Sequence, residues 1–143
     1  MSVQELIDKI KNLNVPYLAQ LALIDSSQDY IELQKEQLAQ GLRSDSKPIF
    51  NLKTGSTQYS KSYAKYKGKS SPIDLRDKGD FYAGIFVLVE DPVKMIVDSG
   101  DSKSGSLQER YGEQIFTLDD ENKTTFIQVA REALINQVQN GMR

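Results

Sequence analysis

The chain predicts an α+β fold, and three features carry that prediction. Apolar residues at helical spacing fill the first forty or so positions, the strongest β signal lies at Ile85–Val89, and the closing segment is amphipathic at helical spacing. The predicted architecture is a single domain over 1–143, with an N-terminal helical arm (1–41) leading into an α+β body (42–143). In the body, a small antiparallel sheet, a hairpin over about 82–99, is packed by an amphipathic C-terminal helix over about 120–139.

Each element has its own sequence reason. Ser2 with Glu5 three residues on is a capping-box pattern, and Leu6, Ile7, Ile10 and Leu13 follow at helical spacing, giving a short helix over about 3–13. Pro16 suits the first turn of a second helix, 16–40, which Gly41 ends. Ser26-Ser27 within it offers either a break or a new cap. The apolar faces of this arm exceed what a two-stranded hairpin buries, which points to a neighbouring subunit or to further strands around 48–53. Residues 42–60 otherwise read as loop. Ser60 caps a short helix carrying Tyr59, Tyr63 and Tyr66 and ending at Gly68. The stretch Ser71–Ile85 then turns through Gly79 into a strand over about 82–90. Asp91-Pro92 makes the hairpin turn, and Met95-Ile96-Val97 returns. A mobile loop is expected over 99–106, then one helical turn at Leu107–Tyr111. Asp119 is the expected N-cap of the last helix, whose stripe is Phe126, Ile127, Ala130, Ala133, Leu134 and Val138, with Gly141 at its end.

Composition removes several function classes. The chain has no Cys and no His, so disulfides, thiolate nucleophiles, zinc sites of the cysteine type and imidazole bases are excluded. A net charge of −2 gives no global pull toward nucleic acid or an anionic membrane. The longest apolar run, Ile85–Val89, is far too short to span a bilayer, and M-S-V-Q-E-L-I-D-K-I lacks the pattern of a signal peptide. These features predict a soluble protein of a reducing cytoplasm, or of a particle assembled there, with no cofactor and no membrane partner.

No nucleophile-elbow, phosphate-loop, zincin or dinucleotide motif occurs, and nothing points to an enzyme. Asp74, Asp77 and Asp80, and Asp98 with Asp101, lack the alternate ligands and closing glutamate of a calcium loop, so they read as solvated acids capping turns. The segment 53–78 carries seven basic residues and two acids, with tyrosines interleaved. Lys61, Lys65 and Lys69 with Tyr59 and Tyr66 form a candidate interaction surface of the kind that holds phosphates and stacks bases. Because the tyrosines share one helical face, packing in a core or interface is favoured for them. A solvated face is favoured for the lysines, because the chain as a whole is not basic.

Three segments, in order, carry a resemblance: Tyr59-Ser60 with Tyr63-Ala64 and Lys67; Asp74-Leu75 with Gly79, Phe81-Tyr82 and Ile85; and Ile115-Phe116-Thr117-Leu118-Asp119-Asp120-Glu121. Together, over about residues 58–138, they resemble the virion-morphogenesis and tail-completion proteins of tailed bacteriophages, the head–tail joining or neck family. Lys78 stands where that family has Thr, Thr117 stands where it has Gly, and the Pro-Arg-Pro before the last helix is absent. The resemblance implies a structural virion protein and not an enzyme. It implies a homo-oligomeric ring, a hexamer or a twelve-fold assembly, meeting portal, connector or tail proteins in the virion neck after assembly in the host cytoplasm. DNA passes nearby without specific binding. Tyr63, Lys67, Asp74, Leu75, Gly79, Phe81, Tyr82, Ile85, Phe116 and Leu118 are its signature positions. Another ring or decoration protein of the virion, or a small nucleic-acid-binding module built on 59–78, are the alternatives.

Overall fold

The computed structural model describes residues 2–91 and 93–143. Among these, six α-helices, a 3-10 turn and a two-stranded antiparallel sheet form the mixed helix-and-sheet architecture, with the N-terminal helices and the C-terminal helix gathered on the hairpin. The helices are α1 (Val3–Lys11), α2 (Val15–Ala39), α3 (Lys61–Lys67), α4 (Asp80–Ala83), α5 (Ser104–Tyr111) and α6 (Asp120–Gly141). The strands are β1 (Ile85–Glu90) and β2 (Lys94–Ser99), in register from Ile85 opposite Ser99 to Glu90 opposite Lys94. The expected turn residue Pro92 lies outside the described residues.

α2 is the axis of the molecule. α6 packs along it and β1 lies against it, so a helix flanked by packing partners needs apolar or satisfied polar groups on several sides. It runs unbroken where Ser26-Ser27 suggested a split. Each hydroxyl bonds back to the carbonyl four residues earlier, Ser26 Oγ to Ala22 O at 2.7 Å and Ser27 Oγ to Leu23 O at 2.8 Å, which keeps both serines helical. Its C-terminal half grips the lead-in to α6. Gln34 Nε2 donates to Ile115 O, Gln37 Nε2 donates to Thr117 O, and Gln37 Oε1 accepts from the Asp119 amide and Asn122 Nδ2. Tyr30 Oη adds a bond to Phe116 O. The arm therefore packs in cis through α2. α1 differs: it has the full capping box but buries no residue; Lys9 Nζ donates to Met142 O, and Leu13, just past its end, lies beside Gly141.

The core gathers Leu38, Ile49, Ile73, Leu75, Phe81, Tyr82, Ile85, Tyr111, Ile115 and Phe116. Four boundaries differ from expectation. The strand begins at Ile85, because Gly79, left-handed at φ 89°, starts a helical turn that contains Tyr82. The strand expected around 48–53 is reduced to an isolated bridge, Leu42 with Pro48, which still seats Ile49 in the core. Residues 104–106, expected as loop, are the first turn of α5, because Ser104 is buried and bonded to Asp98 at 2.8 Å. Gly141 lies inside α6, which Met142 caps. Gly41 is held at φ 72° against the cis Ser71-Pro72 unit, where a Cβ would stand 2.4 Å from Pro72 Cβ.

Candidate functional site

Tyr59, Lys67, Lys69 and Tyr82 converge on Asp74. Ser60 caps α3 and Gly68 closes it in a left-handed turn, so Lys67 and Lys69 fold back toward the 71–77 segment. Asp74 receives Lys67 Nζ at 2.8 Å on Oδ1 and Lys69 Nζ at 2.6 Å on Oδ2. Its Oδ1 also accepts from the Arg76 amide at 3.1 Å and from Tyr59 Oη at 3.2 Å. Tyr59 Oη in turn accepts the amides of Asp74 and Leu75, both at 3.1 Å, and Tyr82 Oη donates to Asp74 O. Lys67 Nζ also donates to Arg76 O and stands 5.1 Å from the Tyr59 ring centre.

The electrostatics follow from that geometry. Burial pushes the Asp74 carboxyl up, but the hydrogen-bonded ammonium groups of Lys67 and Lys69 and the Arg76 amide outweigh it and bring it down to about 2. Burial, and then the charge of Asp74, raise the hydroxyls of Tyr59 and Tyr82 above the ordinary tyrosine value. Asp74 is therefore a buried, doubly paired anion, which corrects its reading as a solvated acid. Lys67 is likewise internal, with 9% of its side chain exposed, and leaves the solvated face. Lys61 and Lys65 stay exposed on α3. Tyr66 is 67% exposed, so the expectation of packing holds for Tyr59, which lies against the core, and not for Tyr66.

The other signature residues complete the same body. Phe81 packs on Phe116 with ring centres 5.7 Å apart. Ile85 opens β1 from the core, and Leu118 is almost wholly buried beside the Asp119 cap, whose side chain accepts the Asn122 amide. Leu75 holds φ 59°, a left-handed conformation that costs a leucine roughly 1–2 kcal/mol. Its amide bond to Tyr59 helps hold it there.

Beside this hub a cleft of about 480 Å³ opens between α3, the 75–81 turn and α5. Tyr59, Tyr63, Phe81, Leu107 and Tyr111 supply its apolar wall, and charged residues of both signs supply its rim. Of the rim residues, Asp101 was expected only as a solvated turn acid, and Lys103 and Arg110 carried no signal, because 99–106 read as loop and nothing local signals that α5 faces α3. Burial, and then the nearby Asp77, raise the Tyr63 hydroxyl, which stays a donor. Among the described residues, no three carboxylates come together as a metal site needs, and no helix is long and apolar enough to cross a membrane. No family model, curated protein or solved structure matches this chain.

Proposed function

We propose that the chain is a structural virion protein of a tailed bacteriophage, a tail-completion or head–tail connector subunit that forms a neck ring between the portal complex and the tail. One observation carries the reading. The three segments that bear the resemblance, far apart in sequence, meet in one body: Tyr59 and Lys67 on Asp74, Asp74 on Tyr82, and Phe81 on Phe116. Contact among the three segments is what the resemblance leads one to expect, and it supports the reading.

The surface is consistent with a joint. α1 exposes Val3, Leu6, Ile7 and Ile10, with Val3 at 75% and Ile10 at 52%, and an apolar row of this kind suits the repeated heterologous contacts of a ring. The basic segment is less cationic outward than its composition suggests, because Lys67 and Lys69 are both paired with Asp74, which offsets one of their two charges. That disfavours the nucleic-acid module. In this reading the protein assembles in the host cytoplasm, resides in the neck, and lets DNA pass without binding it specifically.

The test is imaging of particles made without this protein. Filled heads and free tails found apart support the joint; normal joined particles remove it.

A further inference from the structure

The cleft between α3, the 75–81 turn and α5 holds groups that the rest of the fold does not use. Lys103 is paired with Asp77 at 3.4 Å. Lys78, Arg110, Asp80 and Asp101 also line the cleft, but their side chains form no ion pair and no hydrogen bond with the described residues. Oδ2 of Asp101 has no hydrogen-bond partner among the described residues, a condition that costs on the order of 1–3 kcal/mol. The left-handed Leu75 sits in the same wall. Strain and an orphaned polar atom at one concave place are the features that point to a binding site.

The mixture of charge selects the occupant. A nucleic acid, uniformly anionic, gains from Lys78 and Arg110 but meets Asp80 and Asp101 as repulsion, and a uniformly basic segment meets the reverse. A ligand bearing both signs around an apolar centre satisfies all four groups. The volume lies within the roughly 300–1,000 Å³ range of ligand sites. We propose that this cleft is a peptide-binding site for a short segment of a partner protein, with a large apolar anchor flanked by one basic and one acidic residue. The anchor packs on Tyr63, Phe81 and Leu107, the basic residue turns to Asp80 and Asp101, and the acidic residue turns to Lys78 and Arg110. This site is distinct from the apolar face of α1 and does not depend on ring formation.

The test is a nitrogen-15 NMR titration of the full chain with three capped five-residue peptides. Each carries a central phenylalanine, flanked in one by arginine and glutamate, in the second by two arginines, and in the third by two glutamates. The expected result is saturable shifts at Tyr63, Gly79 and Leu107 with the mixed peptide, bound at least about five-fold more tightly than either other peptide. Ser106→Trp, placed at an exposed position lining the cleft, leaves the spectrum folded and weakens binding at least about ten-fold. Asp101→Lys moves the preference to the doubly acidic peptide. Absence of saturable shifts up to about 5 mM, equal affinity for all three peptides, or binding untouched by Ser106→Trp overturns the proposal. Cleft signals that move with protein concentration alone also overturn it, since a second copy is then the occupant.

Discussion

Replacing Asp74 by Asn isolates the charge at the centre of the Tyr59–Lys67–Asp74 network. Asn keeps the shape and still accepts the Arg76 amide, but it leaves Lys67 Nζ internal and unpaired, with 9% of its side chain exposed. Removing one partner of such a pair costs about 3 kcal/mol. Lys69, 39% exposed, adds little. The carboxyl's fall from 3.8 to about 2 independently corresponds to about 2 kcal/mol at neutral pH. At an unfolding entropy of about 2.1 cal/mol/K per residue, a loss of 2–3 kcal/mol lowers Tm by roughly 7–10 °C for a chain of this size.

The folded carboxyl is depressed relative to the unfolded chain, so its contribution is fully present above the unfolded value near 4 and is lost as pH falls through about 2. Urea denaturation at pH 7 and at pH 2 is the assay. The gap between wild type and Asp74→Asn is expected at pH 7 and nearly absent at pH 2. Adding Lys67→Met to Asp74→Asn is expected to restore at least about 1 kcal/mol, because it removes the stranded ammonium. A loss at pH 7 below about 1 kcal/mol, or a gap unchanged at pH 2, refutes the buried-pair account.

Other perturbations test separate parts of the fold. Gln37→Ala strips the α6 lead-in of its partners at Thr117, Asp119 and Asn122, and is expected to cost about 2–3 kcal/mol by chemical denaturation; a cost under about 0.5 kcal/mol contradicts the clamp. Gly41→Ala combines φ 72° with a Cβ driven into Pro72, so it is expected to destabilise by more than about 1 kcal/mol, whereas Gly55→Ala, with open space around it, suffers the backbone strain alone and loses less. Ile10→Glu lies on the exposed face of α1; its monomer stability is expected to change by less than about 0.5 kcal/mol, and under the neck-ring proposal assembly measured by sedimentation is expected to fall.

How far the sequence reached follows from where its signals were local. Ser2–Glu5, Ser60, Gly68 and Asp119 act within one turn, so their caps were readable and are found as expected. β1 and β2 were readable from apolar and β-branched runs, but Gly79 looked like a turn into a strand because a four-residue helix has no period of its own. The interior of the hub was not readable. Asp74 and Lys67 have the residue types of a solvated face, and only the return of 67–69 toward 74 makes them internal. Ile49 entered the core from a loop for the same reason: burial there is set by α2 and the bridge at Leu42, not by neighbours in sequence. Of the cleft, Tyr59, Tyr63, Gly79 and Phe81 were singled out in advance, whereas the α5 side required the tertiary fold.

The most direct measurement is the mass of the purified full chain across a concentration series, by native mass spectrometry and sedimentation, alongside Ile10→Glu. The neck-ring account predicts a closed ring, six-fold or twelve-fold, that forms with rising concentration or on addition of a connector partner and is weakened by Ile10→Glu. A chain that stays monomeric at every concentration and with every portal, connector and tail component of its particle contradicts it.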